Sequence, residues 1–140
     1  MALDVTITDR SYLYGRLLAV ADWIERSTFD KDTERLTNAL QYMNAFSQRP
    51  SRTWVTIYKK LQPYQAKLGK LGRSKANLLD EIIAGFAPED FYSNKPLDSK
   101  FLLGYHSQRY AIQQEIQEFV RLKKEREARK GETITSVGGE

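Results

Sequence analysis

Leu97-Asp-Ser-Lys-Phe-Leu-Leu-Gly-Tyr-His-Ser-Gln-Arg-Tyr-Ala-Ile112 is the stretch whose reading decides the fold. Phe101, Leu102, Tyr105 and Ile112, then Ile116, Phe119 and Val120, recur at steps of three and four. That period makes one side of a helix apolar for about five turns. Asp98 is placed to cap the first turn, Leu97 to staple against Leu102, and Pro96 lies outside, where its missing donor does no harm. The spacing therefore predicts a helix from Leu97 to about Lys130, roughly 45 Å long at 1.5 Å per residue, on which the other helices pack.

Working backward, Ser74 opens a predicted helix with Leu78, Leu79, Ile82, Ile83 and Phe86 as its stripe, and Pro88 to Phe91 forms a single turn after it. Before that, Ser51 caps a helix carrying Trp54, Ile57, Tyr58 and Leu61, with Tyr64 and Leu68 continuing the period. Pro63 predicts a kink or break there, and Gly69 and Gly72 close the element. Leu36, Leu40, Met43 and Phe46 mark another helix that stops before Pro50. Asp9 caps the first helix, with Leu13, Leu17, Val20, Ala21 and Ile24 on one face, ending near Ser27. The fold class is all-α: one bundle of about five helices over residues 1–130, with a long C-terminal helix and a disordered tail over 131–140.

A chain of 140 residues suits one domain. There is no cysteine, so disulfides, thiolate metal sites and cysteine nucleophiles are excluded. No apolar run approaches the ~18 residues of a membrane span, and no membrane partner is expected. Absent cysteine and absent leader together predict a cytoplasmic protein.

No catalytic constellation emerges. His106 is the sole histidine, and no nucleophile turn accompanies it. Asp80-Glu81 and Glu89-Asp90 are adjacent acids, the first pair on a helix face and the second near a helix start that favours negative charge. Gly69-Lys-Leu-Gly72-Arg-Ser-Lys lacks the strand and the spacing of a phosphate loop. The expectation is a non-enzyme with no cofactor and no metal.

Charge is the informative departure. From Asn44 to Leu79 there is no Asp or Glu, while Arg49, Arg52, Lys59, Lys60, Lys67, Lys70, Arg73 and Lys75 supply eight positive charges. The remaining residues hold fourteen bases against eighteen acids, so the net +4 conceals a segregation. On a helical wheel Arg52, Lys59, Lys60, Lys67 and Lys70 fall within roughly a third of the circle, opposite the apolar positions. A helix with one packed side and one electropositive side is the footprint of a phosphate-tracking protein, and these eight residues are the candidate nucleic-acid site. A solvated face or an acidic protein partner are the alternatives. Tyr64, at the edge of the two sides, suits core packing or base stacking. Nothing resembles a base-reading head.

Two motifs add a family resemblance. Leu13-Tyr-Gly-Arg-Leu-Leu-Ala-Val20 and Phe101-Leu-Leu-Gly-Tyr-His-Ser-Gln-Arg109 resemble the opening and closing helices of the C-terminal region of the type I-C CRISPR Cascade large subunit, the Csd family. Thr37-Asn-Ala39 and the Phe46-Ser47 to Pro50 stretch are similar more loosely, and the resemblance runs from about Ser11 to Ile112. It implies the small subunit that this family also makes as a free chain. Such a subunit is a non-catalytic helical bundle that helps hold the displaced strand of an R-loop in the prokaryotic cytoplasm. The implied partners are the Cascade backbone and large subunits, guide RNA and target DNA within the complex, and another copy of itself. A bridging adaptor and a general RNA-binding bundle are the competing functions. Gly15, Arg16, Gly104, Gln108 and Arg109 are expected to serve helix packing rather than DNA.

Overall fold

Asp9, a short acceptor in extended backbone, starts the chain's most enclosed element. Its carboxylate accepts from the Ser11 and Tyr12 amides at 3.0 and 3.4 Å, and α1 runs Arg10–Arg26 to a C-cap at Ser27. The computed structural model describes residues 2–30 and 32–138, with side chains through Lys130. After α1 come α2 (Asn38–Gln41), α3 (Met43–Gln48), α4 (Pro50–Lys67), α5 (Lys70–Ala84), α6 (Pro88–Tyr92) and α7 (Lys100–Gly138). All are α-helices, and no strand occurs among the described residues. The all-α, single-domain expectation with a long last helix is met. The tail expected over 131–140 falls outside the residues whose side chains are described.

The centre of the bundle is α1, where the sequence placed α7. Every residue from Ser11 to Asp22 is buried. Tyr12, Tyr14 and Leu18, off the predicted stripe, make the helix apolar almost all round, and such a helix belongs inside. It packs most extensively on α7 and also on α2, α4 and α5. On α7 the predicted seam holds at Phe101, Tyr105 and Ile112, which are buried, and then stops. Leu102, at the start of α7, is exposed on its outer side, and Ile116, Phe119 and Val120 are exposed because α7 runs on past the end of α1.

Backbone contact fixes how α1 and α7 cross. A Cβ on Gly15 would lie 2.0 Å from the Phe101 carbonyl oxygen, and one on Gly104 would lie 2.1 Å from the Tyr12 carbonyl oxygen. Each helix therefore presents a glycine to the other's main chain, a separation no side chain allows. Beside this crossing, buried Arg16 donates from Nε to Gln108 Oε1 at 2.8 Å. The expected packing role of Gly15, Arg16, Gly104 and Gln108 is what the geometry shows. Burial holds the Arg16 guanidinium below its ordinary pKa, with Tyr12 and Glu81 opposing that shift.

Several boundaries differ from the sequence reading. The single helix expected over Leu36 to Phe46 is two, parted at Tyr42, whose backbone leaves the helical region at φ −94 and ψ 5, and buried Thr37 caps α2 through its hydroxyl and leaves Leu36 exposed outside. At α4, Pro50 itself occupies the first turn, so Ser51 is not the cap. Pro63 does not break α4. It lies on the solvent side, where water can satisfy the freed Lys59 carbonyl. Tyr58, expected inward, is exposed. Gly69, at φ +57, makes the turn into α5, which starts four residues before Ser74. Gly72 lies inside α5 and closes nothing: a Cβ there would meet the Gln65 carbonyl oxygen at 2.2 Å, so it lets α5 pack on α4.

An aromatic cluster closes the other flank. Tyr14 makes edge contacts with Phe46 and Phe86 and stacks on Phe91, while its hydroxyl donates to the Phe91 carbonyl. Arg10 donates to the carbonyls of Asp90, Ser93 and Lys95, tying down the connection after α6.

Two measurements test this core. Gly15→Ala and Gly104→Ala should each lower stability by about 1–3 kcal/mol or more in urea denaturation, since main chain must move to admit a methyl. Gly85→Ala, whose new methyl would meet its nearest neighbour, the Ile82 carbonyl oxygen, at 3.2 Å, should cost less. Loss-free melting of Gly15→Ala would remove the crossing from the core. The second is alkaline: desolvation raises the Tyr14 phenol from 10.0 to about 12. The folded state keeps that proton longer than the unfolded one. The contribution is intact below pH 10 and is lost as pH rises toward 12, about 2–3 kcal/mol at most. Tyr14→Phe should be the less stable protein at pH 8, by about 1 kcal/mol for the lost hydrogen bond, and the gap should close or invert near pH 12.

Candidate nucleic-acid interface

The acid-free stretch becomes α3's last turns, α4 and the first half of α5, a helical hairpin turned at Leu68-Gly69. Lys70 is thus not the end of the α4 wheel but the first residue of α5. It follows Lys67 across the two-residue turn and is exposed like it. Arg49, Arg52, Lys59, Lys60, Lys67, Lys70 and Arg73 are all exposed, and none is in an ion pair among the described residues. Neither first turn contains an acid.

Lys75 belongs elsewhere. It is only 4% exposed, with Nζ 3.2 Å from Glu115 Oε2 on α7 and 5.4 Å from the centre of the Trp23 ring. This lysine bridges α5, α7 and α1 instead of facing solvent, and the exposed group numbers seven. The sequence could not separate it, because Lys75 lies one turn from Leu71 and Leu79 on a face whose neighbours come from distant chain.

What orients α4 is a polar cluster that periodicity missed. Asp22 and Glu25, buried at the end of α1, collect donors from the loop that follows. Thr37 Oγ1 donates to Asp22 Oδ1 at 2.5 Å and Arg26 Nη2 lies 3.0 Å from the same oxygen. Arg35 Nη1 and the Asn38 amide reach the two Glu25 oxygens at 2.7 and 2.8 Å. The bonds to Asp22 and Glu25 hold the Arg26 and Arg35 guanidiniums above their ordinary pKa. Arg35 also covers the Phe29 ring at 4.4 Å and donates to the Tyr64 hydroxyl at 3.3 Å. Tyr64 is thus half-buried and engaged, with Lys67 Nζ 5.6 Å from its ring centre. The only outward sign of this cluster was Thr37-Asn-Ala39, which entered as part of the family resemblance.

The alternative chemistry is dispersed. His106 is exposed on α7 with its ring edge-on to Tyr105. Asp80 and Glu81 are exposed on α5, and Glu89 and Asp90 sit in the first turn of α6, the dipole-favoured place. No group of three or more histidines, cysteines or acids suited to a metal ion occurs among the described residues. None of their helices is long and apolar enough to cross a membrane.

The two halves of the crossing and the hairpin between them lie within the span of one known family. The family model of CRISPR-associated protein (Cas_Csd1) matches residues 1–113, and the chain belongs to that family. It is therefore a CRISPR-associated, Cascade-type protein. Comparison with curated proteins gives no match. The projecting part of α7 lies beyond the matched residues.

Lys75 and Lys59 make a direct comparison. Lys75→Glu should cost about 1–3 kcal/mol, since it sets a buried acid against Glu115, whereas Lys59→Glu should stay within about 0.5 kcal/mol. Equal urea midpoints for the two variants would put Lys75 back on the open face.

Proposed function

We propose that this chain is a non-catalytic small subunit of a type I-C Cascade complex in the prokaryotic cytoplasm, and that its α4–α5 ridge steadies the displaced DNA strand of the R-loop. The observation that carries this reading is the run of seven exposed cations without an ion pair, in a member of a CRISPR-associated family. Uncompensated like charges repel one another, so such a ridge costs stability unless a polyanion meets it. Sequence is read by guide pairing, and R-loop formation is nearly balanced in energy. A few phosphate contacts to the displaced strand then shift the balance toward the open state. Guide RNA, the backbone and large subunits, and a further copy of the chain are the partners this role requires.

A bridging adaptor is the second reading, and one observation favours it. Ile116, Phe119, Val120 and Leu122 are exposed on the projecting part of α7, a surface that suits protein contact. The two readings separate on the ridge.

With three to five phosphates engaged, log affinity for single strands should fall with log salt at a slope of about −2 to −3.5. Base composition should matter little. Reversing Lys59, Lys60, Lys67 and Lys70 to Glu should preserve helicity, because all four face solvent and Glu is a comparable helix former. In assembled complexes that still contain the subunit, the reversal should shorten R-loop lifetime while leaving guide binding intact. An unchanged lifetime across a range of salt would reassign the chain to bridging.

A further inference from the structure

The ridge on α4 has an aromatic shoulder. Successive residues on a helix leave it about 100° apart, so Tyr58 stands at the edge of the packed side defined by Trp54, Ile57 and Leu61, about 100° from Lys59, with Lys60 and Lys67 on the far side of the helix. The residue is 42% exposed although the helical period assigned it to the core. Behind it lies the Trp54 indole, 4% exposed, with ring centres 5.8 Å apart and planes tilted by 43°. The hydroxyl makes no hydrogen bond among the described residues. Tyr58 is thus an aromatic ring seated on a rigid, buried neighbour and open to solvent, with exposed Val55 one turn before it.

The other exposed or edge tyrosines differ. Tyr64 has Arg35 and Lys67 over its ring and its hydroxyl engaged. Tyr92 lies in the acidic turn of α6, and Tyr110 lies on α7, both outside the acid-free stretch. Tyr58 alone combines an open face with a neighbouring cation on the ridge.

We infer that Tyr58 is a base-stacking platform, on which a nucleobase of a single strand lies while Lys59 and Arg52, the α4 cations nearest to it around the helix, hold the adjoining phosphates. The inference rests on the strand-holding reading above and adds to it a contact that is not electrostatic. Every nucleobase has a π-face, so this contact strengthens binding without selecting a sequence. A duplex keeps its bases stacked on each other and has none to offer, so Tyr58 favours single over double strands. The ridge alone does not distinguish them.

The test uses the full chain and two fluorescent probes of equal length, oligothymidylate and the corresponding abasic phosphodiester strand, titrated to high micromolar protein over a salt series. Tyr58→Ala should bind oligothymidylate about 5- to 150-fold more weakly than the native chain, the range for loss of one stacked base. Its salt slope should be unchanged, because no phosphate contact is lost. Tyr58→Phe should bind within about twofold of native, since the ring is kept. The native chain should prefer oligothymidylate to the abasic strand, and Tyr58→Ala should lose that preference. Circular dichroism and the urea midpoint establish that each variant is folded. If Tyr58→Ala is folded and binds like the native chain with a slope of about −2 to −3.5, the stacking platform is overturned and strand-holding stands. If the native chain shows no salt-dependent binding to either probe, the strand-holding reading falls and the platform with it.

Discussion

The close crossing of α1 and α7, glycine against main chain on both sides, is the constraint on which the remaining structure depends. At ordinary helix separations the side chains between two helices set the distance. Here two absent Cβ atoms set it, at Gly15 and Gly104. That approach brings Arg16 within reach of Gln108 and buries both, so their hydrogen bond forms away from competing water. It also makes α7 a close wall for α1, which leaves α4, α5 and α2 to complete the enclosure. A helix sealed in this way cannot leave charges unpaired at its end. Asp22 and Glu25 accordingly take donors from Arg26, Arg35, Thr37 and Asn38, and the loop between α1 and α2 is ordered around them.

The consequence for α4 is a division between its two sides. Trp54, Ile57 and Leu61 bind it to the core, while the Arg35–Tyr64 contact pins its C-terminal half to the loop cluster. Both constraints act on the inner side. The outer side is free to hold like charges, and a third glycine contact, Gly72 on Gln65, packs α5 close against α4. Local repulsion among seven cations is tolerated because burial elsewhere supplies the stability. Pro63 fits the same logic. On the exposed side its lost hydrogen bond is met by water, and in the core the same residue would have broken the helix.

Much of this was legible in the sequence, and the failures share a cause. Helical periodicity located all the long helices, and Asp9 was read correctly as a cap because capping is decided by a few neighbouring residues. Local information could not rank the helices. The stripe on α7 runs from Phe101 to Val120, but burial requires a partner of equal length, and α1 ends at Arg26. The longest apolar seam was therefore not the most buried one. Lys75 and Tyr58 failed in opposite directions for the same reason. Lys75 was assigned to the surface and is covered by Trp23 and Glu115, and Tyr58 was assigned to the core and is exposed beside Trp54. Asp22 and Glu25 carried no signal at all, since an acid off the apolar stripe reads as solvated until the rest of the bundle closes over it.

Family resemblance and charge report on different parts of this protein. The motif residues that carried the resemblance, Gly15 and Arg16 on α1 with Gly104 and Gln108 on α7, meet one another in the interior. They specify how two helices cross, and a chain keeps them for the fold whatever its outer surface does. The ridge cations lie outside both motifs, on positions where any soluble residue would preserve the fold. Membership of the CRISPR-associated family therefore fixes the scaffold and the setting in which the chain acts. Family membership says nothing of the residues that packing leaves free, and for an electropositive ridge the signature of a bound polyanion is a slope in salt.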